Sequence, residues 1–307
     1  MNLAPADKEN TLGIDFGTTN TTVSFFDRDR VSCIHFTQYG TLVKSVVVYD
    51  ENDNVIIGNA AHEIRNPFFR ARNVKYIVGR NIKECEEIRD DLFEAKLDYD
   101  ANGNALLVSN TRNGVVSKSP LQVVTSLLRL LKEKAESQTE KSFPYVVLTV
   151  PTTFKTNQKR ALKEAATNAG FKVRAMISEP TAAGLHYQMN NDMADKGVYL
   201  VFDFGGGTLD LSLMYCKDGM YDTLASAGNH DLGGNDVDKV ALEEVERLYR
   251  NSNGTALFAD NSVRTNRRRV RILSSIETMK IELQAPNKKA YSLQIEDGDD
   301  DTCTVQV

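Results

Sequence analysis

One phrase occurs twice in this sequence, and the repetition limits the folds that the chain can adopt. GIDFGTTNTTVS begins at Gly13 and VFDFGGGTLDLS begins at Val201. Each copy reads as apolar strand residues, an aspartate, a turn rich in glycine or hydroxyl side chains, and a return to apolar residues. Backbone N–H groups in such a turn can surround phosphate oxygens, because glycine places no Cβ in the way. The sequence therefore predicts two similar phosphate-binding hairpins.

Carboxylates accompany both turns. Asp15 and Asp203 hold matching positions before the turns, and Asp210 follows the second turn. If the hairpins face each other, these carboxylates repel unless a cation lies near them. Mg²⁺ keeps several waters and partners phosphates, so we expect the three aspartates to organise Mg²⁺ through water. A single GGGT would indicate an ordinary tight turn, but its repetition with the aspartate in register favours the phosphate site.

The middle of the chain has an α/β pattern. Residues 11–50 alternate short β-rich runs with polar turns, which predicts hairpins. An amphipathic helix is predicted from Pro120, with Ser119 as its N-cap. YVVLTV, VRAMI and VYLVFDF are separated by helical segments, which predicts parallel strands covered by helices. Two helices and two strands are expected after LGGNDVD, with EDGDDD as a solvated hairpin loop.

Composition excludes several classes of function. The 307 residues carry a net charge of −5, which gives no overall attraction to nucleic acid or anionic membranes. The basic run RTNRRRVR at 264–271 is interpreted as an exposed helix face, with RNA binding as the alternative.

Four dispersed cysteines form no CxxC pair and are expected to be free thiols. No apolar segment reaches the length of a membrane span, and no signal peptide is recognised, so a cytoplasmic protein is expected.

Six ordered strings between residues 12 and 238 strongly resemble the ATPase domain of the seventy-kilodalton heat-shock chaperones (DnaK-type). They are LGIDFGTTNTTVSFF, VGRNI, VVLTVPTTF, AGFKVRAMISEPTAAGLHY, VFDFGGGTLDLSL and AGNHDLGGNDVD. The resemblance implies the actin-like, ribonuclease-H-like α/β fold, in which two lobes related by internal duplication surround an ATP cleft. It places lobe I at 1–192, with an inner subdomain at 1–44 and 119–192 and an outer subdomain at 45–118. Lobe II follows at 193–307, with an inner subdomain at 193–232 and an outer subdomain at 233–307.

The resemblance also implies roles for individual residues. Lys75 would reach the terminal phosphates, although a single lysine is otherwise typical of a solvated surface. Glu179 would lie near the attacking water, with stabilisation of a helix N-terminus as the open alternative. Asp15 and Asp203 would take part in the chemistry as well as in Mg²⁺ binding. The expected nucleotide-binding residues are Gly17, Thr18, Thr19, Asn20, Gly205, Gly206, Gly207, Thr208, Gly233, Gly234, Glu277 and Lys280.

The sequence departs from the family pattern at several positions. Asn20 and Asn235 replace an apolar residue and an acid, which puts nucleotide handling in doubt. Ile281 and Gln284 stand where adenosine contacts are expected, and Lys159 replaces an arginine, which loses the planar bidentate fork. In the family, a segment returning to the inner second lobe follows the strand matched by TCTVQV. We therefore expect a C-terminally incomplete domain, with a naturally short protein as the alternative.

The resemblance implies a domain that binds Mg-ATP and hydrolyses ATP slowly, and that couples the nucleotide state to a peptide-binding domain outside this chain. J-domain co-chaperones and nucleotide-exchange factors are the implied partners, and unfolded peptides the clients of that outer domain. The alternative is an atypical, ribosome-associated type that binds ATP as a structural ligand with little or no hydrolysis. The departures at Asn20, Asn235 and Gln284 favour this alternative. A sugar or acetate kinase is a more distant possibility.

Overall fold

The structure is a computed structural model that divides by packing into two compact units. It describes residues 10–28, 30–36, 40–64, 66–86, 88, 93–190, 196–229, 231–260, 263–286, 292–296 and 302–306. The first unit comprises Met1–Gly205 and Asp210–Gly228, and the second comprises Gly206–Leu209 and Asn229–Val307.

The described residues contain both strands and helices, in an order that mixes runs of strands with single helices. The strands are β1 (Thr11–Phe16), β2 (Asn20–Asp27), β3 (Arg30–Cys33), β4 (Leu42–Lys44), β5 (Val47–Tyr49), β6 (Val55–Ile57), β7 (Phe69–Ala71), β8 (Lys96–Tyr99), β9 (Ala105–Thr111), β10 (Gly114–Lys118), β11 (Tyr145–Val150), β12 (Lys172–Ser178), β13 (Lys196–Phe204), β14 (Leu209–Lys217), β15 (Met220–Asn229), β16 (Ser292–Glu296) and β17 (Thr302–Gln306). The helices are α1 (Gly58–Glu63), a 3-10 helix (Val74–Tyr76), α2 (Ile82–Cys85), α3 (Pro120–Thr139), α4 (Thr156–Asn168), α5 (Glu179–Asn190), α6 (Gly234–Asn253) and α7 (Val263–Glu282).

The central sheet of the first unit has the order β12-β11-β1-β2-β3, with β4 also paired to β2. β1 and β2 form the predicted antiparallel hairpin, in which Asp15 lies opposite Thr22. β1 pairs in parallel with β11, and β11 pairs in parallel with β12. This mixed arrangement confirms the predicted α/β fold class, and it places the carboxyl ends of three parallel strands at one edge of the sheet.

Helix α3 packs against the central sheet and shares its hydrophobic core. It begins at Pro120, where the sequence predicted. The Ser119 side chain accepts a hydrogen bond from the backbone N–H of Gln122, whose side chain accepts from the backbone N–H of Ser119. This capping box and Pro120 at the first helical position fix the start of the helix. Leu127, Leu128 and Leu131 recur at helical spacing and are fully buried. Helix α4 ends before Gly170, which has a positive φ of 85°.

The predicted parallel arrangement is wrong for the third strand, VYLVFDF. β13 does not join β11 and β12 but forms a separate sheet of order β13-β14-β15 in the described residues. Parallel strands covered by helices are buried on both faces. Instead, Val198, Leu200 and Phe202 are each more than half exposed, so the run reflects an uncovered apolar face rather than a central position.

The second unit has its own core. Helices α6 and α7 pack with the antiparallel hairpin of β16 and β17, as the sequence predicted. The buried residues of this cluster include Val245, Tyr249, Ile272, Ile276 and Leu293. The EDGDDD segment lies almost entirely outside the described residues, and so do several side chains of the 264–271 basic run.

Cysteine usage agrees with the sequence prediction where it is described. Cys33 is exposed, Cys85 and Cys216 are buried, and all three are free thiols; the side chain of Cys303 lies outside the described residues. Within the portion of the chain that the structure describes, no helix is long and apolar enough to cross a membrane.

Candidate functional site

The first predicted phosphate loop joins β1 to β2. A Cβ on Gly17 would lie 2.2 Å from the backbone oxygen of Asn20, so any side chain there would break the turn. Thr18 follows with some of its surface accessible. The Thr19 hydroxyl is buried and has no hydrogen-bond partner among the described residues. A buried, unpaired hydroxyl is costly to maintain unless a ligand or water satisfies it.

Ser45, a residue that sequence reasoning missed, supports this loop from behind. Its backbone N–H donates to Thr19 O at 2.8 Å, and its hydroxyl donates to Gly17 O at 2.8 Å. Ser45 follows β4, which pairs with β2. No local motif marks Ser45, because the contact depends on strand pairing across 28 positions of the sequence.

Lys75 and Glu179 form a buried ion pair in the first unit. Lys75 lies on the 3-10 helix of Val74–Tyr76, and its Nζ is 2.6 Å from Glu179 Oε1 at the start of α5. Their side chains are 10% and 14% exposed. The interpretation of Lys75 as a solvated surface charge is therefore wrong, since the short helical turn directs its stem into the protein.

Burial raises the pKa of the Glu179 carboxyl, because desolvation outweighs the nearby Lys75 charge. Asp15 and Asp203 add to this rise in pKa by repulsion. Glu179 does occupy a helix N-terminus, as the open alternative stated, but it also faces a lysine and two aspartates. A carboxylate with a raised pKa is a better proton acceptor than an ordinary one.

The three predicted metal-organising aspartates belong to the first unit and act on one another electrostatically. Partial desolvation of the carboxyl raises the pKa of Asp203, and the charges of Asp210 and Asp15 raise it further, although Asp203 as a whole residue is exposed. Lys75 opposes this rise in pKa. Such mutual repulsion is typical of a site that receives a cation.

Thr149 is a second residue that sequence reasoning missed. Its hydroxyl donates to Asp15 Oδ1 at 2.5 Å. The register of β1 and β11 places Ile14 opposite Leu148, so Asp15 and Thr149 continue adjacent strands side by side. Pairing YVVLTV with LGIDF in parallel, with the buried residues in register, would have predicted this contact.

A cleft in the first unit brings several of these groups together. Glu179, Asp203 and Asp210 line it. The other lining residues are Pro151, Thr152, Pro180, Val201 and Ser212. Among the described residues, no three histidine, cysteine, aspartate or glutamate side chains converge closely enough to hold a metal ion directly. Organisation of Mg²⁺ through water by Asp15, Asp203 and Asp210 stays a prediction.

The second predicted phosphate loop divides between the units. Gly205 ends a segment of the first unit, whereas Gly206, Gly207 and Thr208 belong to the second. A Cβ on Gly233 would lie 2.6 Å from the Gly207 backbone nitrogen, so the GGND turn packs directly on this loop. Because two units are involved, the facing of the two phosphate loops stays a prediction, as do the lobe boundaries.

The backbone connects the second loop to helix α6. Asn235 N–H donates to Gly206 O at 2.7 Å, and the Asp236 carboxylate caps the helix by accepting from Gly233 N–H at 2.9 Å. Asn235 stands where the family has an acid, but its bond to Gly206 does not depend on the side chain, because the main-chain N–H makes it. The glycine-rich loop and the GGND turn therefore form one continuous backbone surface.

The predicted adenosine residues lie on α7. Lys280 Nζ donates to Gly234 O at 3.1 Å and pairs with Asp238 Oδ1 at 2.8 Å. Lys280 thus ties α7 to the start of α6. Glu277 lies three residues earlier, within reach of the same helix face. Ile281 is 62% exposed, and Gln284 is also exposed, so neither departure is explained by packing.

Comparisons with known proteins agree with this arrangement. The family model described as Hsp70 protein matches residues 11–307. A mitochondrial heat shock 70 kDa protein of Solanum tuberosum is 30% identical over 94% of this chain and 41% of its own length. A chaperone protein HscA homolog of Chromobacterium violaceum is 35% identical over 78% of this chain and 37% of its own length.

The chain spans about two fifths of the length of the curated relatives that it matches. The ATPase domain of this family has the actin-like, two-lobed fold, which agrees with the α/β class described above. On the match that covers nearly all of its residues, this chain belongs to the Hsp70 protein family.

Proposed function

We propose that this chain is the nucleotide-binding domain of a chaperone, that it binds Mg-ATP, and that it hydrolyses ATP slowly. The observation that carries the proposal is the group formed by Lys75, Glu179, Asp203 and Asp15, in which one cation and three carboxylates influence one another in the first unit. Carboxylates that repel one another in this way are typical of functional sites, where a bound ligand relieves the repulsion.

The described residues fit Mg-ATP. The Thr19 hydroxyl is a buried group without a partner among those residues, and phosphate oxygens would satisfy it. Gly17 and Gly233 allow backbone approaches that a side chain would prevent. Asp15, Asp203 and Asp210 would hold Mg²⁺ through water. The ion would supply neutralisation of phosphate charge.

Each residue of the cleft has a defined task in this proposal. Lys75 neutralises negative charge on the terminal phosphate, which positions it for transfer to water. Glu179 accepts a hydrogen bond from the attacking water and takes its proton, a role that its raised pKa favours. Thr149 holds one oxygen of Asp15 in place. Gly233, Gly234, Glu277 and Lys280 would contact the nucleoside.

The wider chaperone role is also included in the proposal. We propose coupling to a peptide-binding domain, with J-domain co-chaperones and nucleotide-exchange factors as partners, and membership of the Hsp70 family supports this proposal. The relatives named above include mitochondrial and bacterial proteins, so the expected cytoplasmic location stays a prediction.

A second candidate function is a scaffold that binds ATP without useful turnover. The observation that favours it is the direct contact between Lys75 and Glu179 at 2.6 Å. The ammonium keeps two further donors and the carboxylate a second oxygen, so the contact need not break, but it restrains where each group can reach. If the paired groups cannot reach the positions that hydrolysis needs, nucleotide would be retained without hydrolysis.

Titration calorimetry with ATP tests nucleotide binding. We expect the affinity of nucleotide-free protein to be about tenfold higher with Mg²⁺ than with a chelator, and Asp203→Asn to lose most of that gain. Asp222→Asn, which changes an exposed aspartate on β15, is the matched control and should keep it. Equal affinity with and without Mg²⁺ would contradict the proposed site.

A further inference from the structure

Two buried hydroxyls behind the first phosphate loop have no task in the proposed mechanism. Thr21 is fully buried and Ser45 is 6% exposed. Their side-chain oxygens are 2.8 Å apart. Thr21 lies on β2 and Ser45 follows β4, so the pair joins two neighbouring strands.

The direction of the hydrogen bonds follows from counting protons. A serine hydroxyl has one proton, and that of Ser45 is donated to Gly17 O at 2.8 Å. Thr21 must therefore donate to Ser45. The result is a directed chain from Thr21 through Ser45 to the loop carbonyl, and each bond polarises the next.

Ser45 holds the loop at two points. Its hydroxyl binds Gly17 O, and its backbone N–H binds Thr19 O at 2.8 Å. In a planar trans peptide the C=O and the N–H point in opposite directions. Fixing Gly17 O towards Ser45 therefore turns the N–H of Thr18 away from Ser45, towards the side of the loop that Ser45 leaves open.

Strand pairing fixes the ends of the loop, at Phe16 with Thr21 and at Asn20 with Lys44, but the residues between have few other restraints. Gly17 carries no side chain and has the widest choice of backbone conformations. The Thr19 side chain makes no hydrogen bond among the described residues. The two bonds from Ser45 thus supply a restraint that the loop sequence itself lacks.

We propose that Ser45 is a positioning residue for nucleotide: together with Thr21 it holds the loop from Gly17 to Asn20 in its phosphate-binding conformation before the ligand arrives. This inference rests on the proposed function, because it names what prepares the same loop. Preorganised donors bind more tightly because the ordering cost is met during folding.

The test compares three variants by amide hydrogen exchange of residues 16–21 in nucleotide-free protein. Ser45→Ala removes the hydroxyl bond to Gly17, and we expect exchange of the loop to become about tenfold faster. Thr21→Val keeps the volume and leaves the Ser45 bond to Gly17, so it should have a smaller effect. Ser126→Ala removes another buried serine hydroxyl, which accepts from Tyr49 at 3.0 Å on helix α3, and should leave loop exchange unchanged.

The same variants are then titrated with Mg-ATP. Ser45→Ala should bind about tenfold more weakly, whereas Ser126→Ala should bind like the wild type even if its melting temperature falls equally. Unchanged loop exchange in Ser45→Ala, or equally fast exchange in Ser126→Ala, would overturn the inference. Wild-type protein that binds no Mg-ATP would refute the proposed function, and equal binding by wild type and Ser45→Ala would refute the role of Ser45 alone.

Discussion

At the scale of the residue, Lys75 is placed where a lysine is seldom found. Its side chain is 10% exposed and is paired with Glu179 alone among the ion pairs described. Buried ions are tolerated only when paired, because each loses its hydration. Each charge of the pair therefore compensates the other in the ligand-free protein.

Replacing Lys75 with methionine should destabilise the protein by about 3 kcal/mol at pH 8, because ionised Glu179 is left buried without a cation. Without Lys75 the pKa of Glu179 rises further, since Lys75 is what lowers it. Glu179 then takes up a proton as the pH falls, so the loss should be smaller at pH 5. Urea unfolding at the two pH values measures the difference.

The double variant Lys75→Met with Glu179→Gln is the control for this prediction. It removes both charges and should recover most of the lost free energy of unfolding. A single variant as stable as the wild type at pH 8 would contradict the buried pair.

Asp203→Asn should stabilise the nucleotide-free protein at neutral pH. The pKa of Asp203 is raised in the folded state. The protonated carboxyl therefore contributes its full stabilisation below the ordinary aspartate pKa. This stabilisation is lost as the pH rises through the raised pKa. Asparagine removes that loss. Melting temperatures across pH should therefore show the variant above the wild type at pH 7, with the gap closing in acid. A lower melting temperature of the variant at pH 7 would contradict the sign.

The residues differ in how far the sequence could predict them. Asp15 and Asp203 were found because they recur in matching phrases, and Lys75 was found only through the family resemblance. Ser45 could not be found, because its contact with Gly17 arises from the pairing of β2 and β4. Local patterns predict such contacts poorly when the register is set by tertiary packing.

At the scale of the element, the 3-10 helix that carries Lys75 is held against α4. Gly79 follows it with a positive φ of 69°, and its backbone oxygen accepts from the Asn157 amide at 2.7 Å. A Cβ on Gly79 would lie 2.7 Å from Asn157 O and 2.8 Å from Gln158 Cα. The turn therefore has no room for a side chain.

Gly79→Ala and Gly103→Ala form a matched pair, because both glycines have φ in the left-handed region. In Gly103→Ala the new Cβ would meet only Ile82 Cγ2 at 3.6 Å, so the expected cost is a conformational penalty of about 1–2 kcal/mol. Gly79→Ala adds overpacking of about 1–3 kcal/mol and should displace Lys75, which weakens Mg-ATP binding. Unfolding and calorimetry would measure both effects. Equal stability and equal affinity of the two variants would contradict this account.

Elements with local signals were predicted well. Helix α3 begins at Pro120 because the Ser119 and Gln122 capping box is written in neighbouring residues. Strand β13 was assigned to the wrong sheet, because an apolar run shows that a strand exists but not which strand it pairs with.

At the scale of the whole molecule, the row of apolar side chains on β13 defines an uncovered face. Val198, Leu200, Phe202 and Phe204 are 57%, 64%, 63% and 46% exposed, and the two phenylalanine rings stack at 6.4 Å. Contiguous exposed apolar surface of this kind promotes association. Asp203 alternates with this row, so the same strand contributes to the cleft and to the exposed face.

The 307-residue chain should therefore bind a hydrophobic dye and self-associate as its concentration rises. Leu200→Thr with Phe202→Thr should lower both signals while changing stability by no more than about 0.5 kcal/mol for each exposed position. Val115→Thr changes an apolar residue on β10 that is 70% exposed and lies outside the β13 row, and it should leave both signals unchanged. A monomer at all concentrations, by sedimentation, would contradict the expected association.

The predicted division into lobes required knowledge of the family. The repeated phrase shows that a phosphate hairpin is used twice, but it does not state where each lobe ends. Packing assigns Gly206–Leu209 to the second unit although they interrupt a segment of the first. Sequence order therefore cannot give the units, since Gly206 and Gly207 contact the GGND turn, which lies more than 25 positions further along the chain.

Single-turnover hydrolysis tests the central claim most directly, with protein in excess over labelled Mg-ATP and with bound ATP and ADP followed over time. The account predicts that ADP forms on the wild-type protein and that Lys75→Ala and Asp203→Asn each abolish its formation, while Lys159→Ala, which changes an exposed lysine, does not. ATP that is retained without hydrolysis would establish the scaffold instead. Equal ADP formation by the wild type and both site variants would contradict the assignment of the cleft.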